Sequence, residues 1–303
     1  MSEGVRPTGS AALASWAAFA GCTLIWGSTF LVIRIGNDAL PPVWAASLRL
    51  VLASLVLLAL ARLTRQPLPR GAARNAATWY GLLQFGLNFP LLYWGEKAVP
   101  SGLTAAMFAT VPLSAPLFAH ALGVERIVPA KLAAAGVGIA GAAVVFSGSL
   151  GGAMPALPLL AVLTAATFAS LGTVLLKRGP RQPPIATNAW GAIVGLPVCL
   201  AFSFALREPH PLPTTAPALL PLLYLTLAGS VGAFVLMAWL VHRWPITRIS
   251  FIPILVPTFA VILGGIVKGE RLSRESLAGS ALVIAGVALS VIADRRRAGP
   301  RPA

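Results

Sequence analysis

Residues 111–126 read VPLSAPLFAHALGVER, and residues 256–271 read VPTFAVILGGIVKGER. Valine, proline, a central alanine and the closing Glu-Arg pair fall in register across a shift of 145 positions. The register extends beyond the quoted phrase. Trp94 matches Trp239, Pro100 matches Pro245, Pro112 matches Pro257, and Gly141 matches Gly286. At a shift of 144, Thr23 matches Thr167, Thr29 matches Thr173, and Arg34 matches Arg178. Near a shift of 142, PPVW at 41–44 answers PPIA at 183–186. Leucine and alanine coincidences are cheap in an apolar chain, but ungapped Trp, Pro and Glu-Arg are not. The chain reads as two copies of one unit.

That unit is written for lipid. Of 303 residues 57% are hydrophobic and only 10% charged, with a mean hydropathy of +0.83. Soluble domains carry about a quarter charged residues, so a water-facing surface could not be covered here. The net charge of +15 has the sign that nucleic acid attracts, but the Lys and Arg residues lie between long apolar runs and not on one basic face. Nucleic-acid binding is therefore excluded as a partner class. Cys22 and Cys199 sit inside apolar runs and read as reduced packing residues, with neither a disulfide framework nor a metal site implied. The polar N-terminus runs into an apolar segment too long for a signal-peptide core, which reads as a retained first span.

A spanning helix needs roughly 20 mostly apolar residues. Ten segments qualify: 15–34, 43–61, 77–95, 103–122, 130–148, 157–176, 187–206, 217–241, 247–267 and 276–293. Runs such as LVLASLVLLALA lack the alternation of a membrane barrel, so the predicted fold is all-α. Placing the N-terminus inside puts sixteen of the 23 Lys and Arg residues on the cytoplasmic side and six on the far side, with Arg49 inside a span. Both termini are thus expected inside. The expected organisation is a tail to 14, a five-helix repeat over 15–148, a linker at 149–156, a second repeat over 157–293, and a basic tail from 294. Five is odd, so the second copy is expected to cross upside down, around a central cavity. Inverted repeats are the sequence trace of many secondary transporters.

Together these features resemble the EamA-type members of the drug/metabolite transporter superfamily. The resemblance rests on LIWGSTFLVIRIG in the first span, PPVWAASLRLVLA in the second, and AVPSGLTAAMFATVPLSAPLFAHALGVER later in the first half. It covers about 15–293. It implies a helical basket around a cavity in a bacterial inner membrane. It further implies alternating-access movement of amino acids, other small metabolites or toxic compounds, often outward, without a cofactor. One departure is LLYWGEKAVPSG, where Glu96-Lys97 replaces residues usually uncharged in relatives.

Polar side chains inside a span mark candidate sites, because each is costly there. Arg49 reads in two ways: an anchor for a substrate carboxylate or phosphate, or a structural tie to backbone carbonyls, with Asp38 a further partner. Tyr80, Gln84 and Asn88 follow one helix face at i, i+4 and i+8, which suits a cavity wall or polar helix–helix contacts. Trp26 and Phe30, with Thr23 and Gly27, share a face of the first span that reads as a slot or as packing. In the second half the corresponding positions are Thr167, Thr173, Asn188, Trp190, Tyr224, Ser230 and Thr258. Trp239 near a span end fits a cavity role or the interfacial belt. Pro112 and Pro257 interrupt spans and read as hinges or as fixed kinks. His120 is the one candidate for proton coupling, against a packing role. Gly191 to Gly195 fits close helix approach.

Other classes fare worse. An intramembrane enzyme would need a catalytic motif, and neither HExxH nor GxSxG is present. No Lys precedes Ser or Thr as in a nucleotide-binding loop. Lipid flipping stays open as a variant of transport. The sequence does not specify the substrate, the direction of movement, the coupling ion or the oligomeric state.

Overall fold

The computed structural model describes residues 9–99, 101–146, 155–256, 259 and 274–297. All the regular structure among them is helical. The first half contains α1 (Gly9–Asn37), α2 (Pro42–Leu63), α3 (Gly71–Gly81), a π turn (Leu82–Leu87), α4 (Asn88–Gly95), α5 (Ser101–Phe108), α6 (Val111–Ala121) and α7 (Pro129–Phe146). The second contains α8 (Ala156–Arg178), α9 (Pro184–Ala205), α10 (Ala216–Tyr224), a second π turn (Leu225–Ala233), α11 (Phe234–Val241), α12 (Ile246–Ile249), α13 (252–256) and α14 (Arg274–Arg297). Among the described residues, six helical segments are long and apolar enough to cross a membrane. Leu24, Leu55, Leu117, Leu160, Leu220 and Leu227 are each at least half exposed. Such a coat costs free energy in water and none in lipid.

Four predicted spans are interrupted. The third and eighth each carry a π turn, and these turns occupy corresponding positions of the two copies. The fourth breaks at Ala109-Thr110, just ahead of Pro112, which cannot donate a backbone bond and so starts α6. Thr110 closes the break by donating to the Met107 carbonyl at 2.7 Å. The ninth breaks at Ser250-Phe251, before Pro253. Pro257 and Thr258 lie outside the described residues.

The two copies match down to their caps. α2 and α9 both begin after an extended proline with a second proline at the first helical position. Both end on an arginine with positive φ, Arg65 at 52° and Arg207 at 53°. The next residue closes each end, with Gln66 N–H on the Ala61 carbonyl and Glu208 N–H on the Ser203 carbonyl. Each end then reaches the start of the other helix. Gln66 Oε1 accepts the Ala186 N–H at 3.4 Å, and Glu208 accepts the Val43 and Trp44 N–H groups at 3.1 and 2.8 Å. The two helices therefore lie antiparallel, and they cap each other reciprocally.

α7 and α14 repeat this arrangement. A methyl on Gly141 would meet the Gly279 carbonyl and Val283 N–H, each 2.7 Å away. One on Gly286 would meet the Ala134 carbonyl and Gly138 N–H, each 2.8 Å away. The partners correspond at the 145 shift, so this pair is also antiparallel and reciprocal. Gly81 and Gly191 let α3 and α9 touch backbone to backbone, and Gly195 lies against Phe85 and Gly86, the close approach that the small residues in the sequence predict.

The quoted phrase ends in a clamp. Glu125 accepts the Ile246 N–H at 2.7 Å and lies 3.7 Å from Lys177 Nζ. Lys177 donates to the Trp244 carbonyl. This ties α6 to the start of α12 at the end of the bundle away from Asp38.

Candidate functional site

Between the halves lies a cavity of ≈ 90 Å³. Its lining is largely apolar and aromatic, with Trp26 and Phe30 from α1, Phe89 from α4, Phe108 from α5 and Phe234 from α11. Much of the wall comes in repeat pairs. Thr29 and Thr173, Phe89 and Phe234, Leu92 and Met237, Phe108 and Pro253, and Val111 and Val256 all border it. Each pair corresponds at a shift of 144 or 145. The two copies thus contribute matching residues to one chamber.

Three polar residues break that pairing. Arg49, Gln84 and Asn88 line the cavity, and their counterparts in the second copy are Gly191, Gly229 and Ala233. Arg49 is 3% exposed. Its Nε donates to Ser230 Oγ at 2.7 Å, its Nη1 donates to the Tyr93 hydroxyl at 3.0 Å, and its guanidinium lies 4.5 Å from the centre of the Phe89 ring. Nη2 occupies space left by Gly229, where a methyl would come within 2.8 Å. No carboxylate pairs with Arg49 among the described residues. The structural reading of Arg49, one of the two, expects backbone carbonyls and Asp38 as partners. Hydroxyls from α4 and the second π turn take that place, while Asp38 is exposed beyond the end of α1. Asn88 donates from Nδ2 to the Gln84 carbonyl at 3.2 Å, and its Oδ1 is buried without a partner.

Trp26, Phe30, Arg49, Gln84, Asn88 and Thr173 come together at the cavity, whereas the remaining candidates lie elsewhere. Tyr80 is buried two turns from Asn88 and donates to Asn188 Oδ1 at 3.2 Å. Eight helical residues rise about 12 Å, enough to take the phenol past the chamber. Asn188 donates to the Pro184 and Phe234 carbonyls, so it pins α9 to α11. Thr167 is exposed and bonds the Leu163 carbonyl of its own helix. Tyr224 is 38% exposed and meets Ser28 at 2.6 Å on the outside of α1. Trp239 carries Arg243 over its ring at 3.8 Å, near the end of α11. His120 is exposed at the end of α6 and does not line the cavity. Pro112 is buried at the α5–α6 break.

Sequence reasoning missed Tyr93 and Ser230 as partners of Arg49. It also left Thr29 and the second-copy apolar walls out of the site, whereas Thr173, named from the sequence, does line the cavity. The repeat itself was the usable signal, because most of these positions are matched pairs.

The family model for the EamA-like transporter family matches residues 14–147 and 156–292, one match per copy. The chain is 26% identical over 291 residues to the "Probable amino-acid metabolite efflux pump" of Salmonella typhimurium, covering 90% of this chain and 93% of that one. It is 30% identical over 276 residues to the "Uncharacterized inner membrane transporter YedA" of Escherichia coli, covering 88% of each. A solved structure described only as "Crystal structure of protein" shares the fold, with a TM-score of 0.75 at 21% identity over 95% of this chain and 99% of that one.

Proposed function

The chain belongs to the EamA-like transporter family, and from that premise we propose that it is an inner-membrane secondary carrier working by alternating access. Its ten predicted spans form two five-helix repeats of opposite orientation, with both termini cytoplasmic. Its solute is a small organic metabolite, an amino acid or related compound, moved outward as the name of the Salmonella relative suggests.

The observation that carries this reading is the reciprocal capping of α2 and α9. Corresponding helices in two parallel repeats would cross a bilayer in the same direction. These run in opposite directions, as do α7 and α14. Such a relation supports a two-fold axis in the membrane plane, passing near the paired walls of the cavity. Two similar halves then provide two states of comparable energy, each opening the chamber to one side.

The test has two parts. Membrane-impermeant maleimide should label cysteines introduced at Asp38 and Arg126 from opposite sides of the membrane. Proteoliposomes loaded with unlabelled L-valine should then accumulate labelled L-valine by counterflow. Labelling from one side, or influx indifferent to the internal pool, sinks the carrier.

A further inference from the structure

The repeat allows each cavity residue to be compared with the residue the same fold places in the other copy. Five pairs of wall positions keep their kind across the two copies, Thr29 with Thr173 among them. Arg49, Gln84 and Asn88 do not: the guanidinium answers a glycine, and the two carboxamides answer a glycine and an alanine. A fold that needed these groups for its own packing would need them twice. The second copy closes α9 on α3 through Gly191 without any tie of the Arg49 kind. Arg49 also retains guanidinium hydrogens without an acceptor among the described residues. A buried cation at span depth is costly, and a ligand carboxylate at those hydrogens would offset that cost. Asn88 Oδ1, buried and unpartnered, is an acceptor awaiting a donor.

We propose that Arg49, Gln84 and Asn88 form one recognition head for a solute carrying a carboxylate and a neighbouring hydrogen-bond donor, with a compact apolar body. The carboxylate takes the free edge of Arg49, the donor takes Asn88 Oδ1, and Gln84 borders both. The body lies against Phe89, Phe108 and Phe234. This assignment rests on the carrier reading and fixes which end of the solute faces the first copy.

Trp26 in the lining provides the readout. Purified protein is titrated with L-valine, with L-valinamide, which lacks the carboxylate, and with isovalerate, which lacks the amine. Valine is expected to quench the fluorescence saturably, with each analogue at least about tenfold weaker, because buried polar groups left unpaired penalise the wrong ligand. Asn88→Ala should bring valine and isovalerate to equal affinity. Arg49→Lys should weaken valine about tenfold while leaving valinamide unmoved. If Arg49→Lys fails to fold, Gly229→Ala displaces Nη2 instead and should have the same effect. Valinamide binding as tightly as valine, or no saturable signal from any of the three, overturns the head. Valine binding without counterflow sinks the carrier alone, and counterflow of valinamide at the valine rate sinks the head alone.

A second inference rests on a different residue. Glu96 follows α4, is 1% exposed, and neither carboxyl oxygen has a partner. Its counterpart is Val241, also buried, so the fold seats an apolar side chain there. Arg34 faces it from α1 but spends Nη1 on the Glu96 and Val99 carbonyls. Tyr93 and the exposed Lys97 flank it on its own segment, α2 brings Arg49 to that tyrosine, and α8 has no titratable residue before Lys177. Burial holds the carboxyl well above its usual range, with Arg34 opposing.

The geometry assigns Glu96 as a proton-operated latch that opens its own end of the bundle when it ionises. An ionised carboxylate cannot keep that seat, so opening sends the proton to water on the same side, and closing takes one back from there. The closed form binds the extra proton. Low pH therefore favours closure, and opening gains with rising pH from the ordinary carboxylate range up to the raised value. Valine counterflow measured at equal internal and external pH should rise with pH over that window, without net movement of protons past a trapped pH dye. Glu96→Gln and Glu96→Val should both flatten the profile while still exchanging valine. A profile unchanged in both variants, or stoichiometric proton flux in the wild type, overturns the latch.

Discussion

Replacing Glu208 by alanine should cost the protein more than any other single change at a helix end, and the size follows from the contacts. Glu208 accepts the Val43 and Trp44 N–H groups at 3.1 and 2.8 Å, and the Ser203 hydroxyl donates to it at 2.8 Å. Hydrogen bonds to a charged group contribute about 1.5–3 kcal/mol each when well formed. A carboxylate at a helix N-terminus adds roughly 0.3–1 kcal/mol. The lower limits sum to about 5 kcal/mol, and because Glu208 is only half-buried solvent screening cuts this further, so Glu208→Ala should destabilise by about 2–4 kcal/mol. Gln66 performs the mirrored task with one neutral contact at 3.4 Å, so Gln66→Ala should cost no more than about 0.5–1 kcal/mol. Glu208→Gln keeps one acceptor and should fall between them. Unfolding by SDS titration from mixed micelles checks this, with Trp44 as a local reporter because its Nε1 bonds the Pro211 carbonyl nearby. Equal losses for Glu208→Ala and Gln66→Ala would refute the reasoning, since geometry and charge both set the two apart.

Gly191→Ala should force α9 off α3, because an added methyl would lie about 3.0–3.3 Å from Phe85 and the Gly81 Cα. A loss of about 1–3 kcal/mol is expected from overpacking, read by the same titration. His242 stands just past α11, and burial first, then Lys177, Arg181 and Arg243, push it down to about 4. The unfolded chain therefore binds the proton more readily, and stability should fall as pH drops from about 6.5 towards 4. His242→Asn should flatten that limb in pH-dependent unfolding, and an unaltered limb would assign the acid sensitivity to another group.

The repeat was legible in part because prolines and glycines carry it through backbone roles. Prolines that start α2 and α9 are fixed by local geometry, and glycines where α7 meets α14 by close helix approach, and a sequence records both directly. The shift drifts from 142 to 145 only because the connections differ in length. Gln84 and Asn88 were legible for the same reason, since helical spacing defines a face. Spacing does not say which neighbour that face meets, nor at what depth. Tyr80 shares the face but lies at another level, where Asn188 receives it. Thr167 and Tyr224 are polar in apolar runs, yet each satisfies its hydroxyl locally on the outer side. The π turns were not legible at all, because nothing in LLQFGL or LTLAGSVGA distinguishes a widened turn from an ordinary one.

What the two copies share and where they differ divide the work of the molecule. Apolar pairs such as Phe89 with Phe234 and Val111 with Val256 give the chamber matching walls, which under the proposed alternating access would keep two oppositely open states close in energy. A carrier needs that balance, because a state favoured by several kcal/mol would trap it. Recognition needs the reverse. A solute with distinct ends cannot be held tightly by two-fold equivalent groups without also being held backwards. In the proposed recognition head, placing Arg49, Gln84 and Asn88 in one copy, with two glycines and an alanine at the matching positions of the other, would remove the reversed pose. Ser230 then has a definite task, since it comes from the second copy and holds the Nε edge of the guanidinium at 2.7 Å. It orients the charge of one half with a hydroxyl of the other, so any sliding between halves changes how Arg49 presents its free edge. Ser230→Ala should therefore slow counterflow of valine more than it weakens valine binding at rest, whereas equal effects on both would make the hydroxyl a packing contact only.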